Sequence, residues 1–208
     1  MNIPVVFEDD WLLVVDKPAG LLSVPTPKNE SRTLTSILNQ DAQERKLGVQ
    51  LYPCHRLDRQ TSGLVIYAKS KAVEQKMADV FRDRKVSKKY LAFVHGKLAQ
   101  AQGVISSAIE GKSAITKYKV IQEKNNYSVV QISPVTGRTN QIRIHFKSIQ
   151  HPLVGEDKFI YRKDFALRFK RICLHAQELE FTHPVTQKQL SLRLELPADL
   201  KKFLESHE

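Results

Sequence analysis

Cysteine is scarce in this chain. Cys54 and Cys173 are the only two among 208 residues, and neither belongs to a Cys-x-x-Cys pair. That count argues against a disulfide framework and against a structural zinc module. No apolar stretch approaches the ~18 uninterrupted residues of a membrane span. Met1-Asn2-Ile3-Pro4 lacks the basic start and long apolar core of a signal peptide, so a cytoplasmic protein is expected. Glycine-rich nucleotide loops, metal-ligand spacings, internal repeats and low-complexity tracts are likewise absent. Acidic residues are in deficit, with 22 Asp and Glu against 33 Lys and Arg, a net of +11.

What is present is a globular composition, 41% hydrophobic and 26% charged. The length suits one substantial core, or a core with a small lobe. An excess of positive charge, with a pI near 9.6, points to a polyanion and most often to nucleic acid. Two segments concentrate it. Arg82, Arg84, Lys85, Lys88 and Lys89 lie with Phe81 and Tyr90; Arg162, Lys163, Arg168, Lys170 and Arg171 lie with Phe159, Tyr161, Phe165 and Phe169. Cations interleaved with rings suit RNA or unpaired bases, although a solvated helix face yields the same cations and several rings are core residues.

Periodicity predicts mostly successive strands with a few helices. Val5–Phe7 and Leu12–Val15 read as a hairpin across Glu8-Asp9-Asp10-Trp11, broken by Lys17-Pro18-Ala19-Gly20. Helices are predicted over 33–46, with Leu34, Ile37 and Leu38 on one side, and over 71–84, with Val73, Met77, Val80 and Phe81. A third is predicted to open at Gly137-Arg138-Thr139 and to carry Ile142, Phe146 and Ile149. Strands are predicted over 63–68, 89–94, 115–122 and 127–133. A last one, alternating Leu190, Leu192, Leu194 and Leu196, is set against 179–181 across a turn at Thr182-His183-Pro184. The expected class is α+β, a single catalytic domain around a mixed, mainly antiparallel sheet with flanking helices.

The run His55-Arg56-Leu57-Asp58-Arg59-Gln60-Thr61-Ser62-Gly63 sets one carboxylate between two guanidinium groups, just ahead of the apolar Leu64-Val65-Ile66-Tyr67-Ala68. A nearby cation keeps an Asp ionised, and a second can hold a phosphate. A surface ion-pair cluster is the plain alternative for this run taken alone.

Three further segments accompany it: Val14-Val15-Asp16-Lys17-Pro18-Ala19-Gly20, Lys88-Lys89-Tyr90-Leu91-Ala92, and Thr136-Gly137-Arg138-Thr139-Asn140-Gln141-Ile142-Arg143-Ile144-His145. With these four in order, the chain closely resembles the RluA-type pseudouridine synthases from about Val5 to Pro197. His151-Pro152-Leu153-Val154-Gly155-Glu156-Asp157 and Leu174-His175-Ala176 are further matches. Two departures stand out. Asn140 occupies a position where many members carry His, and no S4-type module is expected ahead of Val5.

The resemblance implies isomerisation of uridine to pseudouridine in large-subunit ribosomal RNA or transfer RNA. It implies no cofactor and no metal, and a monomer acting on RNA without a membrane or nucleotide partner is expected. Asp58 matches the essential carboxylate, as nucleophile or as base on a sugar proton. Arg143 matches the residue that pairs with that Asp, and Tyr90 the active-site Tyr. Arg56, Arg59, Thr61, Lys88, Lys89, Arg138 and Leu174 complete the expected substrate-binding set. Gln60 is expected to orient the loop with Thr61, and His55 to shape it. His145, His175 and Cys173 have no recognised metal-ligand spacing and read as structural. A catalytically inactive RNA-binding assembly factor with the same fold is the alternative, against which the retention of Asp58, Tyr90 and Arg143 together argues. A metal-dependent nuclease would call for clustered Asp, Glu and His, which the sequence lacks.

Overall fold

Alternating and continuous apolar runs become strands, and stripes spaced three and four residues apart become helices. The computed structural model describes residues 2–27, 30–160, 165 and 167–207. In chain order the elements are β1 (Val5–Glu8), β2 (Leu12–Lys17), α1 (Leu34–Glu44), β3 (Tyr52–Pro53), β4 (Ser62–Ala68), α2 (Lys71–Arg82), β5 (Ser87–His95), β6 (Gln102–Ile105), β7 (Thr116–Glu123), β8 (Tyr127–Pro134), α3 (Gln141–Ser148), β9 (Leu174–Thr182), β10 (Gln189–Arg193) and α4 (Ala198–Ser206). The β1–β2, β2–β4, β3–β4, β9–β10, β5–β8, β6–β7 and β7–β8 ladders are antiparallel. The α+β class with a mainly antiparallel sheet is as expected. The chain folds as two compact units, residues 1–87 with 178–194, and residues 88–177 with 195–208.

In the first unit the strand order is β1-β2-β4-β9, with β3 paired to β4 and β10 to β9. β4 is buried along its whole length, which explains why its sequence is a continuous apolar run rather than an alternating one. Leu12, Val14, Leu64, Ile66, Val73, Met77, Leu179 and Phe181 form the core, with Val73 and Met77 supplied by α2. The helix ends follow local chemistry. Thr33 and Ser36 form a capping box at the start of α1, and the Ser70 hydroxyl accepts from the Val73 N–H at the start of α2.

In the second unit the order is β9-β5-β8-β7-β6. One apolar cluster joins Ala92, Val94, Val130 and Ile132 to Ile142 and Phe146 of α3. Another joins Phe93, Tyr127, Val129 and Cys173 to Leu200 and Phe203 of α4.

Three expectations shift. α3 begins at Gln141, not at Gly137, because Asn140 adopts a left-handed backbone (φ 54°) and the chain before it is a turn. β10 ends at Arg193, so Leu194 and Leu196 lie beyond the strand; Leu194 packs on the core of the first unit and Leu196 on that of the second. β3, β6 and α4 have no counterpart among the expected elements.

Candidate active site

The segment between β3 and β4 is tied down residue by residue. The Ile66 N–H donates to His55 Nε2 at 3.1 Å, and the imidazole packs against Phe81 with centroids 5.1 Å apart. These two contacts join His55 to β4 and to the end of α2. Leu57 is buried, and the Ser23 hydroxyl bridges its backbone by donating to the carbonyl (2.9 Å) and accepting from the N–H (3.0 Å). The Thr61 N–H donates to the Asp58 carbonyl at 3.0 Å, closing a tight turn.

Lys17 clamps the far side of that turn. It is fully buried, and its ammonium donates to the carbonyls of Pro18 (2.9 Å), Leu21 (2.6 Å) and Arg59 (3.2 Å). The Gly20 N–H donates to the same Arg59 carbonyl at 2.8 Å, from a backbone at φ +87° that favours glycine. A buried ammonium is tolerated only with such partners. The Lys17-Pro18-Ala19-Gly20 segment thus holds the loop that carries Asp58. Asp58 is half-buried, Arg56 and Arg59 are exposed, and Thr61 is buried. Arg59 reaches Glu30 at 3.3 Å on the surface.

In the second unit, β5 presents Lys88, Lys89 and Tyr90, all half-buried. Tyr90 packs against the apolar cluster of which Leu174 is a member. The Lys88 ammonium faces the Gly137 backbone, 3.9 Å from where a Cβ there would stand, and burial pushes its pKa down. Arg138 is exposed, and its Nε donates to the Ser113 carbonyl at 3.1 Å.

Arg143 is buried on α3. Its Nε and one terminal nitrogen donate to the two Glu156 oxygens at 2.7 and 2.6 Å. Its other terminal nitrogen donates to the Asn140 side-chain oxygen at 3.0 Å, and the guanidinium lies 5.0 Å from the Phe159 ring centroid. Burial alone would raise the Glu156 carboxyl; hydrogen bonds from Arg143 and from the Lys158 N–H outweigh it and hold it below the usual carboxylate range.

His145 Nδ1 lies 2.9 Å from the Thr116 hydroxyl and Nε2 lies 3.0 Å from the Ser107 carbonyl. Burial pushes His95 and His175 down to about 4, the Cys54 thiol up to about 12, and the Cys173 thiol strongly up. Among the described residues no group of three His, Cys, Asp or Glu could hold a metal ion, and no helix is long and apolar enough to cross a membrane.

Within the basic segments, Arg82, Arg84 and Lys85 are exposed at the end of α2, as are Arg168 and Lys170. Arg171 is instead buried in a bidentate pair with Asp199 at 2.8 and 2.9 Å, and Phe169 packs edge-on to Phe203. Tyr161, Arg162 and Lys163 lie outside the described residues.

Two residues beside these groups escape a reading of the sequence. Lys17 has a signal, a lone cation at the end of an apolar strand. Glu156 has only its place in a matched motif.

The match to known proteins is extensive. Residues 11–148 fit the model of RNA pseudouridylate synthase. The dual-specificity RNA pseudouridine synthase RluA of Haemophilus influenzae is 35% identical over 205 residues, 91% of each chain. Ribosomal large subunit pseudouridine synthase D of Blochmanniella floridana is 34% identical, over 98% of this chain and 73% of its own. Human RNA pseudouridylate synthase domain containing 4 has the same fold, with a TM-score of 0.81 at 23% identity over 97% of this chain and 92% of its own. A carboxylate loop held by buried donors, on this fold and with these relatives, leads to one assignment: the chain belongs to the RNA pseudouridylate synthase family.

Proposed function

We propose that this enzyme isomerises uridines in large-subunit ribosomal RNA, transfer RNA or both, as a monomer, with Asp58 as its essential carboxylate. The observation that carries the reading is the Asp58 turn. It is closed by the Thr61 N–H and held at Arg59 by Lys17 and Gly20, so the backbone under the carboxylate is fixed before any substrate arrives. The reaction breaks the C1′–N1 bond, forms a C1′–C5 bond and moves the C5 proton to solvent while N1 regains one. Atoms and electrons balance within the uridine, so no redox partner is called for. Asp58 serves either by attacking the sugar or by taking a sugar proton; both roles need it ionised.

Tyr90 is the ring proposed to stack on the extruded uracil, a contact worth about 1–3 kcal/mol, with Leu174 lining the same apolar cluster. Arg143 is the cation proposed to serve the reacting carboxylate, and its burial supports a role inside the protein rather than on RNA phosphates. Arg56, Arg59, Lys88, Lys89 and Arg138 are the proposed contacts to the RNA, and Thr61 is proposed to support the loop through its N–H, which closes the Asp58 turn. Extruding the base costs a few kcal/mol, which backbone contacts of this kind offset.

Mapping pseudouridines in ribosomal and transfer RNA from cells with and without the protein tests the reading. The expected result is at least one uridine whose modification disappears with the protein and returns with the wild-type chain, but not with Asp58→Asn. Maps unchanged in both RNA classes would overturn the target assignment. Restoration by the Asp58→Asn chain would favour another catalytic group.

A further inference from the structure

We infer that Glu156 is a positioning residue for the isomerisation: it holds the Arg143 guanidinium in its working orientation. The inference rests on the reading of Arg143 as a residue of the reaction centre. Three observations carry it.

The first is the contact itself. The two carboxylate oxygens of Glu156 take two parallel N–H donors of Arg143, the arrangement that fixes a guanidinium in plane and in rotation rather than merely neutralising it. The Glu156 side chain has no exposed surface and that of Arg143 only 8%, so solvent neither screens the pair nor competes for it.

The second is that Glu156 is set from its own side. Its Oε1 also accepts from the N–H groups of Asp157 (3.1 Å) and Lys158 (2.9 Å), which lock the carboxylate against rotation. The preceding segment is laced to β5 and to residues beside β9: His95 N–H to Pro152, Val154 N–H to Phe93, Cys173 N–H to Val154. Gly155 takes φ +81°, and a Cβ there would run into the Arg171 carbonyl, so only glycine permits the approach that delivers Glu156 to Arg143.

The third is that α3 is anchored independently of this pair. Gln141 accepts from the Thr136 hydroxyl and the Arg138 N–H, and donates to the Ile115 carbonyl and the Thr116 hydroxyl. The helix thus already has the hydrogen bonds and apolar contacts that fix its place. A pair needed only for stability would be redundant here, and an ion pair this deeply buried is in any case a poor source of stability. Holding a planar cation to a fraction of an ångström is a task that the two-point contact from Glu156 is placed to perform.

The test compares Glu156→Gln and Glu156→Asp with the wild type. The readout is tritium released from C5 of RNA labelled with 5-tritiated uridine and isolated from cells lacking the protein. Thermal unfolding is followed in parallel. Gln keeps shape but removes the charge and places an amide N–H₂ against an Arg donor; Asp keeps the charge but draws the guanidinium back by about one methylene. Turnover per folded molecule is expected to fall about 10²-fold for Gln and less for Asp, with KM unchanged. Wild-type turnover in folded Gln protein overturns the inference, as does wild-type turnover in Asp protein should Gln fail to fold. A change confined to the melting temperature or to KM also overturns it. Arg143→Met, paired with Glu156→Leu so that no charge is left buried alone, separates the two readings. Normal turnover in that double variant removes Arg143 from the reaction, whereas an inactive double variant beside a fully active Glu156→Gln removes only the positioning role.

Discussion

Lys17 illustrates how a single buried side chain fixes a loop, here the one that carries Asp58. Its ammonium is surrounded by the carbonyls of Pro18, Leu21 and Arg59, and no exposed surface remains. Lys17→Met would fit the space but leave these acceptors unsatisfied in a buried environment. A cost of about 2–4 kcal/mol is expected, since each orphaned buried acceptor is worth about 1–3 kcal/mol and relaxation recovers part of it. Urea unfolding gives that number, and turnover of the folded fraction should fall as well, because the Arg59 carbonyl loses one of its two tethers. A Lys17→Met protein as stable and as active as the wild type would contradict this description. Asp58 is legible in the sequence because the run around it mixes charges ahead of an apolar strand. Lys17 and Glu156 are not, because their roles come from partners distant in the chain or turned inward by the backbone: Arg59 for one, Arg143 for the other.

At the scale of elements, α3 depends on a hydrogen-bond chain that ties it to β7. The Gln141 amide donates to the Thr116 hydroxyl, which donates to His145 Nδ1, while the Nε2–H of His145 donates to the Ser107 carbonyl. Thr116 and His145 are both fully buried, so every donor and acceptor there must be matched. Thr116→Val removes the middle link and strands two polar groups. A loss of about 2–3 kcal/mol is expected, lowering the melting temperature of a chain this size by roughly 5–10 °C. A change under about 2 °C would mean the chain of bonds contributes little.

The same elements show which parts of the fold the sequence expresses. The β1–β2 hairpin, α1, β4 and α2 are legible because their apolar periods are complete and their ends carry Thr33, Ser70 or the Lys17-Pro18 break. β3 is two residues long and β6 four, too short for a period to register. α4 has a usable signal in Leu200, Phe203 and Leu204, but it follows an alternating run that reads as strand. The start of α3 reads too early because glycine and threonine at 137 and 139 suggest a cap. The actual turn is closed instead by the Gln141 side chain reaching back to Thr136 and Arg138.

For the whole molecule, the basic composition and the acid sensitivity of the fold are separate consequences of charge. The net of +11 favours a polyanionic partner, and it says nothing about stability. Acid sensitivity comes from buried imidazoles. His95 and His175 are held neutral down to about 4 by burial, against an ordinary value of 6.5. Between pH 6.5 and 4 the unfolded chain binds protons that the folded chain refuses, so stability falls as pH falls through that window. Glu156 and Asp199 lie below their ordinary values of 4.5 and 3.8, so their contribution is complete above those values and is lost only in stronger acid. The melting temperature is therefore expected to decline from pH 6.5 toward 4, with a shallower slope when His95 and His175 are both replaced by Gln. A flat profile over that range would contradict the burial of these rings.

That Asp58 carries the reaction is tested most directly with purified wild-type and Asp58→Asn proteins in a single-turnover assay of C5 tritium release. Binding of the same RNA is measured alongside. A loss of roughly 10⁴-fold or more in the rate is expected, at unchanged RNA affinity and an unchanged unfolding curve. Tritium release by the Asp58→Asn protein at a rate near that of the wild type would contradict the role given to this carboxylate.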